Sequence, residues 1–292
     1  MIPVVIPYHK GKKRLKKCKK QLKSQTIYKD LDVHIVKDGK GSGYTPTVNR
    51  GLRHYLARPG EWDYIVICDQ DMYLDPDALE KLRQLLDDEP NCGIAVSVQR
   101  LYDRPFFAQA AGLDCIPVGS IEVAHMSYFM KNRPIFWGDI ACCMIRKECL
   151  WDIGLLDENF VFICSDSDLS LTARSKGWEV WLCGESRGIH QKGHSVSNEL
   201  KAEKDKNRKI PPKLLKQMGQ DQRLFRTKWE SSGYYKILKY EKDRTVCVIK
   251  KGELIDIKVN EKGEVERKEK PKVSAEQAKT KKGKDRANVV SE

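Results

Sequence analysis

Four β-rich runs, at 3–7, 33–38, 64–69 and 93–99, alternate with segments of helical pattern. A basic stretch at 10–23 follows the first run, and a second helical segment lies around 48–56. The third spans 77–86, with Leu79, Leu82 and Leu86 on one face, Asp75 or Pro76 to open it and Pro90 beyond its end. Apolar strands separated by whole helices are crossover connections, which parallel strands need and hairpins do not. The pattern therefore predicts an α/β fold with a doubly wound, mostly parallel, Rossmann-like sheet covered on both faces. In such sheets ligands sit beyond the carboxyl ends of the strands.

The third run, Tyr64-Ile-Val-Ile-Cys68, ends in Asp69-Gln-Asp71. A buried strand avoids carboxylates unless something offsets their desolvation. A turn, a helix cap or a metal ion would each do so. Two carboxylates spaced i and i+2 can reach one hard cation if the chain turns there, and such a cation shares its oxygen ligands with phosphates. Asp38 ends the second run in the same way, which favours a site over a turn.

Beyond residue 100 the periodicity weakens. Residues 100–135 are irregular and aromatic-rich, and regular patterns return with FWGDIACCMIRKECLWDIGLLDENF and SDSDLSLTARSKGWEVWLCGE. Gly177 suits a helix end before a strand at 179–183. Residues 211–229 read as helical, with Leu214, Leu215, Met218, Leu224, Phe225 and Trp229 to bury, and a small β-meander follows. The expected division is 1–99 and 100–200 for the two halves of the main domain, 201–235 as a helical extension, 236–266 as the meander, and 267–292 as a disordered charged tail.

Composition narrows the classes. At 33% charged and 40% hydrophobic the 292 residues are mostly globular, and no apolar run approaches the ~20 residues of a membrane span. The start of the chain lacks a signal-peptide layout. The ten cysteines form no CxxC pair, which predicts buried free thiols in a reducing, cytoplasmic setting rather than a zinc site or disulfides. Of the net charge of +13, much is local: between Lys10 and Lys23 stand nine Lys or Arg and no acid, with Leu15, Cys18 and Leu22 at helical spacing. An amphipathic helix with a wholly basic outer face is either a solvated face or an anion-binding surface for lipid head groups, nucleic acid or an acidic glycan.

Seven motifs come in one order: VVIPYH, VHIVKDG, NRG, CDQDMYLDPDAL, IRKECLWDIGLLDENF, SDSDLSLTARSKGWEV and HQKGHS. Together they resemble the inverting glycosyltransferases of family 2, with the GT-A fold, over roughly residues 2–196; the DQD form resembles the rhamnosyltransferase-like branch. The resemblance implies that 1–99 is the nucleotide-sugar-binding half of the domain and 100–200 its acceptor-binding and catalytic half, that Pro7 lines a base pocket and that Asp38 accepts a hydrogen bond from the base. It implies that Asp69 lies near the sugar and ribose and that Asp71, with Asp69 and His190, holds Mn²⁺ or Mg²⁺ against the diphosphate. Asp166 then serves as catalytic base with Asp168 as its structural or standby partner, an order of roles left open. Ser165 stands where the family has an acid, and Thr172 where an Arg is usual. Arg174, two positions on, is assigned to the nucleotide sugar. Trp137, beside Gly138, and Asp139 are placed on the acceptor side.

The expected activity is transfer of a hexosyl or deoxyhexosyl group from a UDP- or dTDP-sugar to a saccharide or glycoconjugate hydroxyl. The base takes the acceptor's proton and the cation stabilises the departing diphosphate. The basic helix keeps two alternatives open: docking on an anionic membrane, and the same chemistry on a hydroxymethylated base in DNA. The altered Ser165-Asp166 pair keeps a third, a non-catalytic binding module.

Overall fold

The computed structural model describes residues 1–39, 42–58, 60–110, 122–191, 212–229, 245–250 and 253–258. In chain order its elements are β1 (Ile2–Tyr8), α1 (Lys12–Lys23), β2 (Leu31–Lys37), α2 (Tyr44–Leu56), β3 (Tyr64–Cys68), β4 (Met72–Leu74), α3 (Ala78–Asp88) and β5 (Cys92–Leu101). There follow β6 (Phe107–Ala110), β7 (Glu122–His125), β8 (Arg133–Ile135), β9 (Cys142–Arg146), α4 (Lys147–Ile153), α5 (Ser165–Ser175) and β10 (Glu179–His190). Helix α6 (Pro212–Trp229) and the strands β11 (Thr245–Lys250) and β12 (Glu253–Lys258) complete the set.

The main sheet runs β2-β1-β3-β9-β5-β10-β4. Strands β2, β1 and β3 are mutually parallel, as are β5 and β10. Alternate residues face opposite layers, as the two-residue period of a strand requires. Val5, Ile65 and Ile67 pack with Val48 and Leu52 of α2, Cys149 and Leu150 of α4 and Leu169 and Ala173 of α5. Val4, Ile6, Val66 and Cys68 pack with Cys18 and Leu22 of α1 and with Leu79, Leu82, Leu85 and Leu86 of α3. Each fully buried aliphatic side chain contributes about 1.5–3 kcal/mol to this core.

Three features depart from the sequence expectation. Strand β9 is antiparallel to both neighbours, β3 and β5. Its run Cys-Cys-Met-Ile is as apolar as a parallel strand because it too is covered on both faces, so direction leaves no mark on composition. Helix α2 begins at Tyr44 after Gly43, whose φ of 98° only glycine adopts without strain, four residues before the helical pattern at 48–56. Helix α3 begins at Ala78 after Asp77; Asp75 pairs instead with Arg100, and its N–H donates to the Arg187 carbonyl. The glycine at 177 does end α5: its φ is 91° and its N–H donates to the Arg174 carbonyl at 3.0 Å.

Strands β11 and β12 form an antiparallel hairpin. The remainder of the meander at 236–244, 251–252 and 259–266, the tail at 267–292, the parts of the helical extension at 201–211 and 230–235, and segment 111–121 lie outside the described residues. Among the described residues the cysteines are free thiols; seven are buried and Cys164 is partly so. No described helix is long and apolar enough to cross a membrane.

Candidate functional site

The carboxyl edge of the sheet collects the predicted residues. Pro7 lies near the end of β1, Asp38 follows β2, Asp69 follows β3 and His190 ends β10. The Asp69 carbonyl accepts the Met72 N–H at 3.0 Å, and the Asp69 N–H donates to the Ala141 carbonyl at 2.7 Å. The carboxylate pair thus stands on a tight turn whose second limb is β4. That strand pairs antiparallel with β10, His190 opposite Met72, and the Gln191 N–H donates to the Asp71 carbonyl at 3.0 Å. Register alone therefore brings residue 190, far along the chain, beside residue 71.

One ligand atom from each of Asp69, Asp71 and His190 lies within 4.8 Å of the others. Asp71 and His190 are each only 7% exposed. His190 Nε2 is 3.6 Å from Asp71 Oδ1, beyond a hydrogen bond but suited to two donors facing one ion. The ring's other nitrogen, Nδ1, is 2.7 Å from Gln99 Oε1. Gln99 Nε2 donates to the Asp139 carbonyl at 3.4 Å, and a carbonyl only accepts, so Oε1 must face the histidine. Nδ1 then carries a proton, so Nε2 is the nitrogen that could offer a lone pair to an ion. Two carboxylates and an imidazole nitrogen suit a divalent ion such as Mn²⁺, with Mg²⁺ less favoured by nitrogen.

Asp38 sits in a second network. Its carboxylate accepts from Ser42 Oγ at 2.9 Å and meets His9 Nδ1 at 2.8 Å. Arg50, from α2, donates to Ser42 Oγ and to the Lys37 carbonyl, holding the loop that follows β2. Burial pushes the Asp38 carboxyl up, but the hydrogen bonds from Ser42 and His9 outweigh it and leave the group below its ordinary value. The first residue of α2, Tyr44, turns a buried hydroxyl toward Asp69. Burial, and next the charge of Asp69, hold that phenol protonated well above its usual range. The charge of Asp139 adds to the same effect.

Asp166 and Asp168, both in the first turn of α5, separate clearly. Asp166 is half-buried, its Oδ1 accepting the Ser167 N–H at 2.8 Å. Asp168 is 3% exposed, and its oxygens accept from Lys228 Nζ at 2.8 and 2.9 Å and from Trp229 Nε1 at 2.7 Å. Burial holds its carboxyl above the ordinary value, and the Lys228 ammonium offsets this only in part. The two carboxylates around Lys228 raise the ammonium despite its own burial. Both Asp168 oxygens are thus engaged by α6, which suits the structural of its two expected roles.

Two further expected residues lie in the interior. Arg174 is 7% exposed, donates to the Ile135 carbonyl at 3.1 Å and lies over the Phe136 ring at 4.9 Å. Trp137 is 3% exposed within the cluster of Phe136, Phe160, Leu171, Phe225 and Trp229. Asp139 also caps its own loop, Oδ1 accepting the Ala141 N–H at 3.1 Å. Sequence reasoning missed Gln99, Tyr44 and Arg50. None carried a signal in residue order: Gln99, 3% exposed, meets His190 only through the register of β5 with β10.

A doubly wound α/β domain with a cation-capable cluster at the carboxyl edge of its sheet defines a class of ligand-handling folds. The family described as Glycosyltransferase like family 2 matches residues 22–210, more than half of the chain, and the protein belongs to that family. Its fold is that of GT-A glycosyltransferases. Among solved structures it is similar to GalNAc-T7 with UDP, GalNAc and Mn²⁺, at 11% identity and a TM-score of 0.50, over 65% of this chain and 43% of that one. It is also similar to S. aureus TarS, at 12% identity and a TM-score of 0.47, over 65% of this chain and 36% of that one. The chain thus spans less than half the length of either. Compared with curated proteins, the sequence finds no significant match.

Proposed function

We propose that the protein is a metal-dependent, inverting glycosyltransferase that moves a sugar from a nucleoside diphosphate to a hydroxyl of a saccharide or glycoconjugate. The observation that carries this reading is the meeting of Asp69, Asp71 and His190 at the strand ends of a family 2 fold. Asp69, Asp71 and Nε2 of His190 would hold Mn²⁺, which when bound offsets the charge gathering on the leaving diphosphate. Pro7 and Asp38 are assigned to the base, Asp38 oriented by Ser42 and His9, and Asp69 also to the sugar and ribose. Asp166 takes the acceptor's hydroxyl proton as that oxygen attacks the anomeric carbon and the bond to the diphosphate oxygen breaks. Attack opposite the leaving group inverts the centre. The base role falls to Asp166 because Asp168 has both oxygens engaged.

The donor expected is a UDP- or dTDP-sugar, and the rhamnosyltransferase-like DQD motif favours a deoxyhexose. Helix α1 supplies a partner. Lys12, Lys13, Lys16, Lys19, Lys20 and Lys23 are exposed, and Lys17 Nζ lies 5.3 Å from the ring of Tyr102, itself 53% exposed. Lysines beside exposed aromatics fit the headgroup layer of an anionic membrane at the cytoplasmic face. Hydroxymethylated duplex DNA is the competing acceptor surface. Screening UDP- and dTDP-sugars for Mn²⁺-dependent hydrolysis and transfer tests the enzyme reading; no turnover with any donor would refute it. Sedimentation with phosphatidylserine vesicles against duplex DNA at matched salt separates the two surfaces.

A further inference from the structure

Helix α6 begins at Pro212, beyond the 22–210 match, yet its side chains reach the turn that carries Asp166. Asp221 is 1% exposed, and its carboxylate accepts three successive backbone N–H groups. Those of Phe162 and Ile163 donate at 2.8 Å and that of Val161 at 3.5 Å. Gln217 Nε2 adds a contact to the same carboxylate at 2.8 Å. At the very end of the helix, Lys228 bridges Asp157 at 3.1 Å and Asp168 at 2.8 Å, and Trp229 Nε1 joins Asp168. Phe225 and Trp229 pack with Phe160 and Leu171 behind these polar contacts.

Between the two clamps lies Cys164, at φ 71° the sole described non-glycine residue in the left-handed region, directly before α5. A side chain in that conformation persists where its surroundings over-determine it. On its other side the loop meets α2: the Phe160 carbonyl accepts from Thr45 Oγ1 at 3.0 Å, next to Tyr44, which faces Asp69.

We propose that α6 is a positioning clasp: Asp221 fixes the backbone of 161–163, Lys228 and Trp229 fix Asp168, and together they set the first turn of α5 so that Asp166 meets the acceptor hydroxyl. Asp221, Lys228 and Trp229 are positioning residues and touch no reacting atom. The clasp rests on the assignment of Asp166 as base. Its two halves bracket Asp166 in sequence, and both draw on groups that α6 alone supplies among the described residues.

Asp221→Ala in the full chain tests it, with Trp229→Phe as a milder variant that keeps the aromatic packing. In Asp221→Ala the amides of 161–163 should exchange with solvent at least about tenfold faster, and kcat for transfer should fall about 10- to 100-fold, the scale of an ångström-sized misplacement. The affinity for UDP with Mn²⁺ should stay unchanged, because Asp38, Asp69, Asp71 and His190 stand on other elements. Trp229→Phe should show the same split at smaller size. Unchanged exchange, unchanged transfer, or an equal loss of UDP affinity in Asp221→Ala would each overturn the clasp. The base assignment is tested apart from it by Asp166→Asn, which should lose transfer while the 161–163 amides stay protected; full transfer in that variant would sink the base and the clasp's role in setting it.

Discussion

Nδ1 of His190 and Oε1 of Gln99 lie 2.7 Å apart, and that contact decides which imidazole nitrogen faces Asp71. Partners behind a metal-bound histidine typically control affinity by 10- to 100-fold, so Gln99→Leu should weaken Mn²⁺ binding by about that factor. Gln99→Glu, which keeps an acceptor oxygen there, should retain more of it. Titration of free Mn²⁺ by electron paramagnetic resonance reads both. Equal affinity in wild type and Gln99→Leu would contradict the tautomer argument.

The two acids of α5 should respond differently to neutralisation. Asp166→Asn is expected to lower kcat about 10²- to 10⁴-fold with the melting temperature unmoved. Asp168→Ala leaves Lys228 with Asp157 alone and strands the buried Trp229 Nε1–H, and should cost about 1–3 kcal/mol in urea unfolding. A large kcat loss without destabilisation in the Asp168 variant would reverse the roles.

Asp38 gives a pH dependence of known sign. Its native carboxyl lies below the ordinary value, so the unfolded chain binds the proton more tightly. The stability it contributes is fully present above the unfolded pKa of about 3.9 and is lost as pH falls through the native value. Between about pH 5 and pH 3 the melting temperature of the wild type should fall more steeply than that of Asp38→Asn. Parallel curves would show that Ser42 and His9 do not hold the charged form.

Gly51, in the NRG motif, is required by packing. A Cβ there would lie 2.3 Å from Val5 Cγ1 and 3.0 Å from Val36 Cγ2, both fixed in strands. Gly51→Ala should cost about 1–3 kcal/mol despite the better helix propensity of alanine. A neutral or stabilising result in urea would contradict the close contact of α2 with the sheet.

What the sequence made legible followed from local chemistry. The strand–helix alternation and the two-faced core could be read because side-chain period is written directly in residue order, and Asp38, Asp69 and Asp71 stood out because carboxylates interrupt apolar runs. The direction of β9 could not be read, since a strand covered on both faces has the same composition either way. Neither could Gln99 or the α6 clasp, which depend on register and on contacts across more than fifty residues, such as Lys228 with Asp168. Asn49, quoted for its motif, proves to be a scaffold residue: its amide mimics backbone, donating to the Leu156 carbonyl and accepting the Leu156 N–H. Motif matching marked the position, and packing supplied the reason.

The most direct test is calorimetric titration of UDP and dTDP into wild type and Asp71→Ala, each with and without Mn²⁺. At least one nucleotide should bind the wild type only when the ion is present, and Asp71→Ala should lose that binding while keeping its fold. Nucleotide binding that is indifferent to Mn²⁺, or that survives intact in Asp71→Ala, would contradict a cation held at the end of β3.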